Sequence, residues 1–312
     1  MRAALIRELG APPQLGEADD PSGDTIEVLA ASINPIDLAV SRGALAAGHP
    51  ALPYVPGSEA VGRTGDGRVV WLFGGGLGLA RNGTIAERVS IGEAHVVDVP
   101  EGADPAVAAG LGIAGLAGWL PLAWRAPLKG GENVLVLGAT GSVGIVAVQT
   151  AKLLGAARVV AAGRSAEGLA RARSLGADDV VHLEEADDLV AAFKEAFSGE
   201  GPNYVFDPLW GAPAAAAVQA AVPWATIVNL GQSAGATSEL VSQAVRFKSL
   251  SILGHTNFAV PADELAEHYR RLVGLAVAGD ILFDVERVPL EDVGEAWQRH
   301  ARGAGTKLVV VP

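Results

Sequence analysis

The stretch that decides the fold is V-L-V-L-G-A-T-G-S-V-G-I-V-A-V-Q-T-A-K-L-L-G-A, residues 134–156. It begins with a short apolar run that has the length of a buried parallel strand. A turn with glycines at positions 138, 141 and 144 follows, and then an apolar stretch of helix length, from Ile145 to Leu154, which Gly155 stops. This order of strand, glycine-rich turn and helix predicts the first β-α unit of a parallel sheet.

The same alternation continues downstream of that unit. Further strands are predicted at 158–162, 179–182, 204–206, 226–230 and 250–253, with helices at 166–175 and 187–197. Strands that alternate with helices of this length predict an α/β fold, a doubly wound Rossmann sheet with helices on both faces.

The glycine-rich turn has the features of a dinucleotide-binding site. Gly138 permits the sharp turn, Gly141 lets the backbone approach a pyrophosphate, and Gly144 lets the helix pack on the strand. The spacing G-x-x-G-x-x-G would also suit an ordinary strand-to-helix turn, but the β-α-β context favours a cofactor. The residues of the turn predicted to bind it are Gly138, Thr140, Gly141, Ser142, Val143 and Gly144.

The end of the second strand indicates which dinucleotide binds. An acidic residue there would bind the ribose 2′-hydroxyl of NAD and repel a 2′-phosphate. This chain has Gly163, Arg164 and Ser165 instead, which offer room, a planar guanidinium matched to phosphate, and a hydroxyl. The alternative is that Arg164 is only a solvated loop residue. The missing acid favours NADPH as the cofactor.

The regions on either side of this domain differ from it in pattern. The first hundred residues read as short strands and turns rather than helices, with period-two alternation at 26–30 and 85–91. After residue 254 a helix is expected at 262–278, closed by Gly279. Strands are expected at 285–288 and 307–311.

Composition limits the classes of partner. The net charge of −12, from 35 acidic and 23 basic side chains, disfavours binding to nucleic acid or to anionic membranes. The chain has no cysteine, which excludes disulfides, thiolate catalysis and cysteine-bound zinc. The most apolar stretch, 106–124, is interrupted by four glycines and Pro121, so we expect no membrane span and a cytoplasmic protein.

Several segments together resemble the medium-chain dehydrogenase/reductase superfamily, in particular its zinc-free quinone oxidoreductase (zeta-crystallin-like) branch. The resemblance covers essentially the whole chain. Besides the glycine-rich turn, it rests on S-I-N-P-I-D-L-A-V-S-R-G (32–43), V-P-G-S-E-A-V-G (55–62), G-T-I-A-E-R-V (83–89), S-L-G-A-D-D-V-V (174–181) and G-T-K-L-V-V-V-P (305–312).

The resemblance implies a domain organisation. A GroES-like β-barrel catalytic domain would comprise residues 1–112 and be completed by 255–312, with the Rossmann NADPH-binding domain at 113–254. The active site would be a cleft between the two domains. Many relatives are homodimers that pair through their cofactor domains, which would make 250–253 the edge strand of a homodimer here.

The resemblance also bears on zinc. Zinc-dependent members place a Cys, a His and a second Cys around the catalytic metal. Alignment by motif puts Asn34, Ser58 and a residue near Ile113 at these three positions. None of them supplies a usual zinc ligand set, so no metal is predicted and zinc catalysis is rejected.

Without a metal, the substrate carbonyl must be polarised by hydrogen-bond donors or by water. The candidates near the expected cleft are Asn34, Tyr54 and Ser58. The amide of Asn34 would orient the nicotinamide or the substrate, although Asn before Pro is equally an ordinary turn residue. Tyr54 would donate a proton or simply be a buried wall residue. Asp37 is expected to be a structural cap, or a hydrogen-bond acceptor behind the site, rather than a base, and solvent remains an alternative proton source.

In relatives, the ends of the later strands contact the nicotinamide. By resemblance we expect Leu230, Gly231, Asn257 and Phe258 to do so, although Phe258 is equally compatible with a core role. The stretch 70–76, V-W-L-F-G-G-G, is expected to form a mobile apolar wall that suits a planar, apolar substrate.

The predicted function is hydride transfer from NADPH to a small molecule, an apolar quinone or an α,β-unsaturated carbonyl compound (an enone). Two alternatives remain open at this point. One is an enoyl thioester or ketone reductase of the same superfamily. The other belongs to a different class of protein, an NADPH-binding sensor or interaction protein without turnover.

Overall fold

The computed structural model describes the chain from Met1 to Pro312. It divides into two compact units, the first formed by Met1–Ala114 with Pro261–Pro312 and the second by Gly115–Val260. The strands are β1 (Arg2–Leu5), β2 (Gln14–Glu17), β3 (Thr25–Ser32), β4 (Glu59–Thr64), β5 (Val69–Phe73), β6 (Arg88–Ser90), β7 (His95–Asp98), β8 (Asn133–Leu137), β9 (Arg158–Gly163), β10 (Asp179–His182), β11 (Tyr204–Asp207), β12 (Thr226–Asn229), β13 (Ser251–Gly254), β14 (Val285–Pro289) and β15 (Lys307–Val311).

The helices are α1 (Pro35–Ser41), α2 (Pro105–Gly110), α3 (Leu116–Leu120), α4 (Ser142–Leu153), α5 (Ala166–Ser174), α6 (Leu189–Ala196), α7 (Gly211–Ala220), α8 (Ser242–Phe247), α9 (Ala262–Ala278) and α10 (Val293–Arg302). Short segments of π-helix at Leu111–Gly115 and Pro121–Arg125 flank α3.

The first unit contains a seven-stranded mixed sheet in the order β14-β15-β3-β4-β5-β7, with β6 also paired to β3. The carboxy-terminal strands join the amino-terminal ones because β15 runs antiparallel to β3, with Val309 opposite Ser32. The expectation that 285–288 and 307–311 form strands that return to the first domain is therefore confirmed.

Helices α1 and α10 are two of the elements of the first unit that the sequence prediction missed. Helix α1 begins at Pro35 with Asn34 as its amino-terminal cap, and Asp37 completes a capping box. Helix α10 buries Val293, Ala296 and Trp297 on one face. Both are short, so tertiary packing rather than a long periodic pattern stabilises them.

The second unit is a six-stranded parallel sheet in the order β10-β9-β8-β11-β12-β13. Strand order reverses between β8 and β11, which is the topological switch point where such sheets bind ligands. Strand β8 is buried on both faces: Val134 and Val136 pack in one core cluster, and Leu135 and Leu137 pack in another. The predicted doubly wound Rossmann fold is confirmed, with β13 at the edge of the sheet.

One helical segment, Pro105–Arg125, is long and apolar enough to cross a membrane by length and composition, and 78% of its most apolar window is buried within the protein. A buried core helix of a globular protein has the same composition. The segment is also kinked, because Gly112 has a non-helical ψ of −105°.

Candidate functional site

The turn between β8 and α4 can be built only with glycine at two of its positions. Gly138 has a φ of +62°, a left-handed conformation that side chains other than glycine rarely adopt. At Gly144 an added Cβ would lie 2.5 Å from the Cα of Ala139 and would overlap the carbonyl of Gly138. Helix α4 therefore starts in direct contact with the end of strand β8.

The amino-terminus of α4 is open and suited to an anion. Its capping residue, Gly141, provides no side-chain cap. The nearest neighbour that a Cβ at Gly141 would meet is the Gly138 carbonyl oxygen, 3.8 Å away, so that position faces free space. First-turn N–H groups of a helix have no partner within the helix and attract negative charge. This arrangement fits a pyrophosphate.

The other turn residues differ in their surroundings. An added Cβ at Gly163 or Gly168 would overlap Thr140, so this side chain packs toward strand β9 and helix α5. Ser142 and Val143 form the first turn of α4 itself. Of the predicted set, Ser142, Val143 and Gly144 therefore supply the first-turn N–H groups of α4.

The end of strand β9 places Arg164 in solvent. Its side chain is 77% exposed, and its guanidinium lies 3.8 Å from the carboxylate of Glu184. Ser165 is the amino-terminal cap of α5, and its hydroxyl oxygen accepts a hydrogen bond from the Gly168 N–H at 3.1 Å. Glu184 is absent from the sequence prediction because it follows the next strand, β10.

Asp207, which sequence reasoning also missed, organises the loop after β11. One carboxylate oxygen accepts hydrogen bonds from the N–H groups of Leu209 (2.9 Å) and Trp210 (2.8 Å). The other accepts from the side-chain amide of Asn229 at 3.0 Å. Trp210 has a φ of +55°. A carboxylate at the end of an apolar strand was the available signal, because a buried charge needs such partners.

The loop after β12 packs against the loop that Asp207 organises. A Cβ at Gly231 would lie 2.5 Å from the carbonyl oxygen of Pro208, so only glycine fits there. The Leu230 N–H donates to the Asp207 carbonyl oxygen at 2.9 Å. Leu230 and Gly231, both predicted cofactor residues, thus lie at the carboxyl edge of the sheet beside the switch point.

Asn257 and Phe258 lie in a short 3₁₀-helix after β13. Asn257 is buried, and its side-chain oxygen lies 3.1 Å from Nε2 of His255. Burial lowers the pKa of His255, which favours the neutral ring, and the ring of Trp124 lies edge-on to it at 6.3 Å. Phe258 is 49% exposed, so the alternative of a core role is wrong.

In the first unit, Asn34 is completely buried and both ends of its side-chain amide are occupied. The amide nitrogen donates to Oε1 of Glu59 at 2.8 Å. The amide oxygen accepts from Nζ of Lys307 at 2.6 Å. Asn34 is therefore a helix cap whose side chain is fixed in one orientation by two charged groups.

Glu59 is the centre of this buried network. Its Oε2 accepts hydrogen bonds from Nε1 of Trp71 (2.9 Å) and from the N–H of Ile113 (2.8 Å). The kink at Gly112 makes room for the carboxylate, since a Cβ there would overlap Oε2. Burial raises the pKa of Glu59, and the Lys307 ammonium and these donors oppose that change.

Asp37 and Ser58 form the second part of the network. One Asp37 oxygen accepts from the Asn34 N–H at 2.7 Å, and the other accepts from the Ser58 hydroxyl. The expectation that Asp37 is a structural cap is confirmed. Burial raises the pKa of Asp37 to about 6, against the lowering effects of Ser58, the Asn34 N–H and Lys307.

Lys307, like Glu59, was missed as a site residue. It is 3% exposed, and its ammonium donates to the Ile33 carbonyl (2.9 Å) as well as to Asn34. Burial lowers its pKa, and the nearby Glu59 and Asp37 oppose the change. A lysine at the start of the apolar strand 307–311 was the available signal, because such a charge requires an acidic partner.

Tyr54 differs from the other candidates because its hydroxyl has no hydrogen-bond partner although it is buried. Burial, with the charge of Asp37, raises the pKa of this phenol to about 12. The ring stacks beside that of His49 at 6.5 Å. The hydroxyl is thus a neutral donor at physiological pH.

The expected mobile apolar wall at 70–76 is wrong. Residues 70–73 belong to strand β5, and Trp71 is completely buried between Phe73 and Tyr269, with ring centroids at 5.2 and 4.3 Å. The indole N–H donates to Glu59, and the ring packs against its two aromatic neighbours. Only the glycines that follow form a turn, with positive φ at Gly74, Gly75 and Gly76.

No group of three or more His, Cys, Asp or Glu side chains is arranged to hold a metal ion. The three positions that correspond to zinc ligands by motif instead lie in the network described above. Asn34 and the Ile113 N–H bond to Glu59, and Ser58 bonds to Asp37.

Comparison with known proteins agrees with this geometry. Residues 142–274 match the family model described as zinc-binding dehydrogenase. The human protein "Quinone oxidoreductase" is 26% identical over 326 residues, which cover 100% of this chain and 98% of the relative. The Arabidopsis thaliana "NADPH-dependent alkenal/one oxidoreductase, chloroplastic" is 32% identical over 197 residues, covering 56% of this chain and 49% of the relative.

Among solved structures, a mycobacterial protein crystallised in complex with NADPH superposes with a TM-score of 0.85. It is 25% identical and covers 100% of both chains. These matches support the medium-chain dehydrogenase/reductase superfamily, in its quinone oxidoreductase branch, as the group of proteins that this chain is similar to.

Proposed function

We propose that this protein is a metal-independent oxidoreductase that reduces a quinone or an α,β-unsaturated carbonyl compound with NADPH. The observation that carries the proposal is the open amino-terminus of α4 behind a turn that only glycines can form. Relatives named as quinone oxidoreductase and as an NADPH-dependent alkenal/one oxidoreductase support the same reaction class.

The residues of the second unit fit NADPH in chemical type. The N–H groups at the start of α4 would hold the pyrophosphate, and Arg164 would hold the 2′-phosphate. Leu230, Gly231, Asn257 and Phe258 would line the nicotinamide side, at the carboxyl edge of the sheet. When bound, NADPH would supply the hydride. The protein's own part is to orient the reactants and to exclude water.

In the first unit, Tyr54 is the proposed donor to the substrate carbonyl. Its hydroxyl is buried and unbonded, and a pKa of about 12 keeps the proton on the oxygen. A neutral donor of this kind stabilises negative charge that develops on an oxygen. The amide of Asn34 and the hydroxyl of Ser58 are already hydrogen-bonded to charged side chains. Their proposed role is therefore to position the other residues of the site.

Metal independence is supported by the residues at the three expected ligand positions. Asn34, Ser58 and Ile113 lack the His and Cys side chains that bind zinc. The family model described as zinc-binding dehydrogenase matches 142–274, a range that contains none of these three positions. Its description therefore does not bear on the metal.

The test is a steady-state assay that follows NADPH absorbance against a panel of quinones, enals, enoyl thioesters and simple ketones. Saturable turnover of quinones or enals, with little reduction of the other two classes, supports the proposal. Preference for thioesters or ketones would select the alternative reductase. Tight NADPH binding without turnover of any class would identify a sensor or interaction protein and contradict the proposed activity.

We further propose a homodimer formed through the edge strand β13. The edge carries unpaired backbone groups, and two large apolar side chains near it are exposed: Trp224 at 79% and Phe247 at 72%. The N–H of Trp224 donates to the Lys248 carbonyl oxygen at 2.6 Å, which joins the segments that carry the two rings. Exposed aromatics beside an open edge are typical of an interface.

A further inference from the structure

Glu184 is held beside Arg164 by the ladder between two parallel strands. His182 of β10 lies opposite Gly163 of β9. This last pair of the ladder is closed by the Leu183 N–H, which donates to the Gly163 carbonyl oxygen at 2.9 Å. Arg164 directly follows Gly163 and Glu184 follows Leu183, so both side chains lie just beyond the end of the ladder, where their charged groups are 3.8 Å apart.

We propose that Glu184 is a specificity-determining residue that competes with the cofactor's 2′-phosphate for the guanidinium of Arg164 and so limits the preference for NADPH over NADH. The inference rests on the proposed function, because it assumes that Arg164 faces the adenosine ribose. A guanidinium binds a carboxylate or a phosphate through the same planar donors. NADPH must therefore displace Glu184, whereas NADH has no group that requires this displacement.

Glu184 acts on the phosphate in a second way. Dinucleotide sites that select NAD place an acidic residue at the end of the second strand, where it repels a 2′-phosphate. This chain has no acid at that position, but the neighbouring strand brings one to the same edge. The carboxylate of Glu184 thus opposes the 2′-phosphate by repulsion as well as by holding Arg164.

The adjacent Glu185 provides a matched comparison. It has the same charge and a similar exposure, 75% against 65% for Glu184, but its carboxylate lies 3.6 Å from Nε2 of His182 rather than near Arg164. Removing either carboxylate changes the net charge equally. Only the Glu184 change releases Arg164.

The expected size of the effect on NADPH binding follows from the solvent exposure of the two charged side chains. Both Arg164 and Glu184 are mostly in solvent, and exposed pairs contribute weakly to binding and stability, with an effect that salt screens. We expect replacement of Glu184 to tighten NADPH binding by about two- to fivefold at low salt. The gain shrinks as the salt concentration rises.

The experiment is equilibrium binding by fluorescence titration, with wild type, Glu184→Gln and Glu185→Gln. The ligands are NADPH, NADH, adenosine 2′,5′-bisphosphate and adenosine 5′-phosphate. Glu184→Gln is expected to tighten binding of the two ligands with a 2′-phosphate and to leave the other two unchanged, with a smaller effect from Glu185→Gln. On an Arg164→Met background, Glu184→Gln should give a clearly smaller gain.

Unchanged or weaker NADPH binding in Glu184→Gln overturns the inference, as does an equal gain in Glu185→Gln. A loss of NADH affinity in Glu184→Gln would show that the carboxylate binds ribose hydroxyls instead, which also overturns it. If wild type binds neither NADPH nor the bisphosphate, the proposed function fails and this inference fails with it. The wild-type titration therefore distinguishes the two failures.

Discussion

Lys307 is the residue on which the buried network of the first unit depends, because its ammonium is the positive charge that compensates Glu59 and Asp37. Replacement by Met would leave these buried carboxylates without it. We expect Lys307→Met to lower the free energy of unfolding by about 3–5 kcal/mol. Urea denaturation measures the change.

The control for this substitution is Lys129→Met, which removes the same charge from an exposed lysine. Its effect should stay within about 0.5 kcal/mol. Equal, small effects from both substitutions would show that the Lys307 ammonium does not compensate the buried carboxylates.

Asp37 makes stability depend on pH. Burial raises the pKa of its carboxyl from 3.8 to about 6, so between these values the folded protein holds a proton that the unfolded chain has released. Its contribution to stability is fully present below the unfolded pKa and is lost as the pH rises through about 6. At 1.36 kcal/mol per pH unit, the loss amounts to about 3 kcal/mol.

The measurement is the free energy of unfolding of wild type minus that of Asp37→Asn, between pH 4 and 7. We expect this difference to fall as the pH rises. His300 is the control of opposite sign, because burial lowers its pKa from 6.5 to about 4. The difference between wild type and His300→Gln should rise over the same range. A flat difference for Asp37→Asn would contradict the pKa assigned to that carboxyl.

At the residue scale, the sequence predicted candidates whose neighbours are close to them along the chain. It missed contacts between residues that are far apart in the sequence or on different strands. Gly138, Gly144 and Arg164 could be named as candidates because each belongs to one β-α unit. The partners of Asn34 were not, since Lys307 lies 273 residues away and meets it only through the pairing of β15 with β3. Glu184 was missed for the same reason, because the ladder between β9 and β10 brings it to Arg164.

At the scale of elements, glycine has two different roles in the turn between β8 and α4. Gly144 allows close packing, whereas Gly141 leaves space in front of the backbone. Gly144→Ala would place a Cβ against the backbone of Gly138 and Ala139, which cannot move aside. We expect a loss of about 1–3 kcal/mol in the free energy of unfolding. Gly141→Ala meets no atom closer than 3.8 Å and should cost less than about 1 kcal/mol.

For NADPH binding we expect the reverse order. When affinity is measured per folded molecule, Gly141→Ala should lose more of it than Gly144→Ala. A methyl at position 141 would stand where the pyrophosphate must approach the backbone, so Gly141→Ala should weaken NADPH binding by about tenfold or more. Denaturation and ligand titration on both variants provide the measurements. Wild-type affinity in Gly141→Ala would show that the pyrophosphate does not bind there.

Some elements were predictable from the pattern of the sequence, and others were not. Helix α9 was expected at 262–278 and is found at Ala262–Ala278, since Gly279 adopts the left-handed conformation that ends it. Helices α1 and α10 were missed. The stretch 85–91 alternates as a strand does, but only Arg88–Ser90 forms one, because neighbouring strands and not periodicity decide where pairing ends.

At the scale of the whole molecule, the proposed homodimer is tested by self-association. Trp224→Glu would place a charge among the exposed aromatics near β13. Because a central interface aromatic contributes about 2 kcal/mol or more, we expect the dimer dissociation constant to rise on the order of thirtyfold. Analytical ultracentrifugation measures it. Leu153→Glu, at an exposed residue of α4, is the control, and an unchanged constant in Trp224→Glu would contradict this interface.

Reduction of the substrate with NADPH and without a metal is the reaction that we propose for this chain. It is tested most directly by initial rates of NADPH oxidation with a quinone, before and after exhaustive dialysis against a zinc chelator, with the metal content measured on the same samples. We expect saturable turnover that chelation leaves unchanged. Activity that is lost on chelation and restored by added zinc would contradict it.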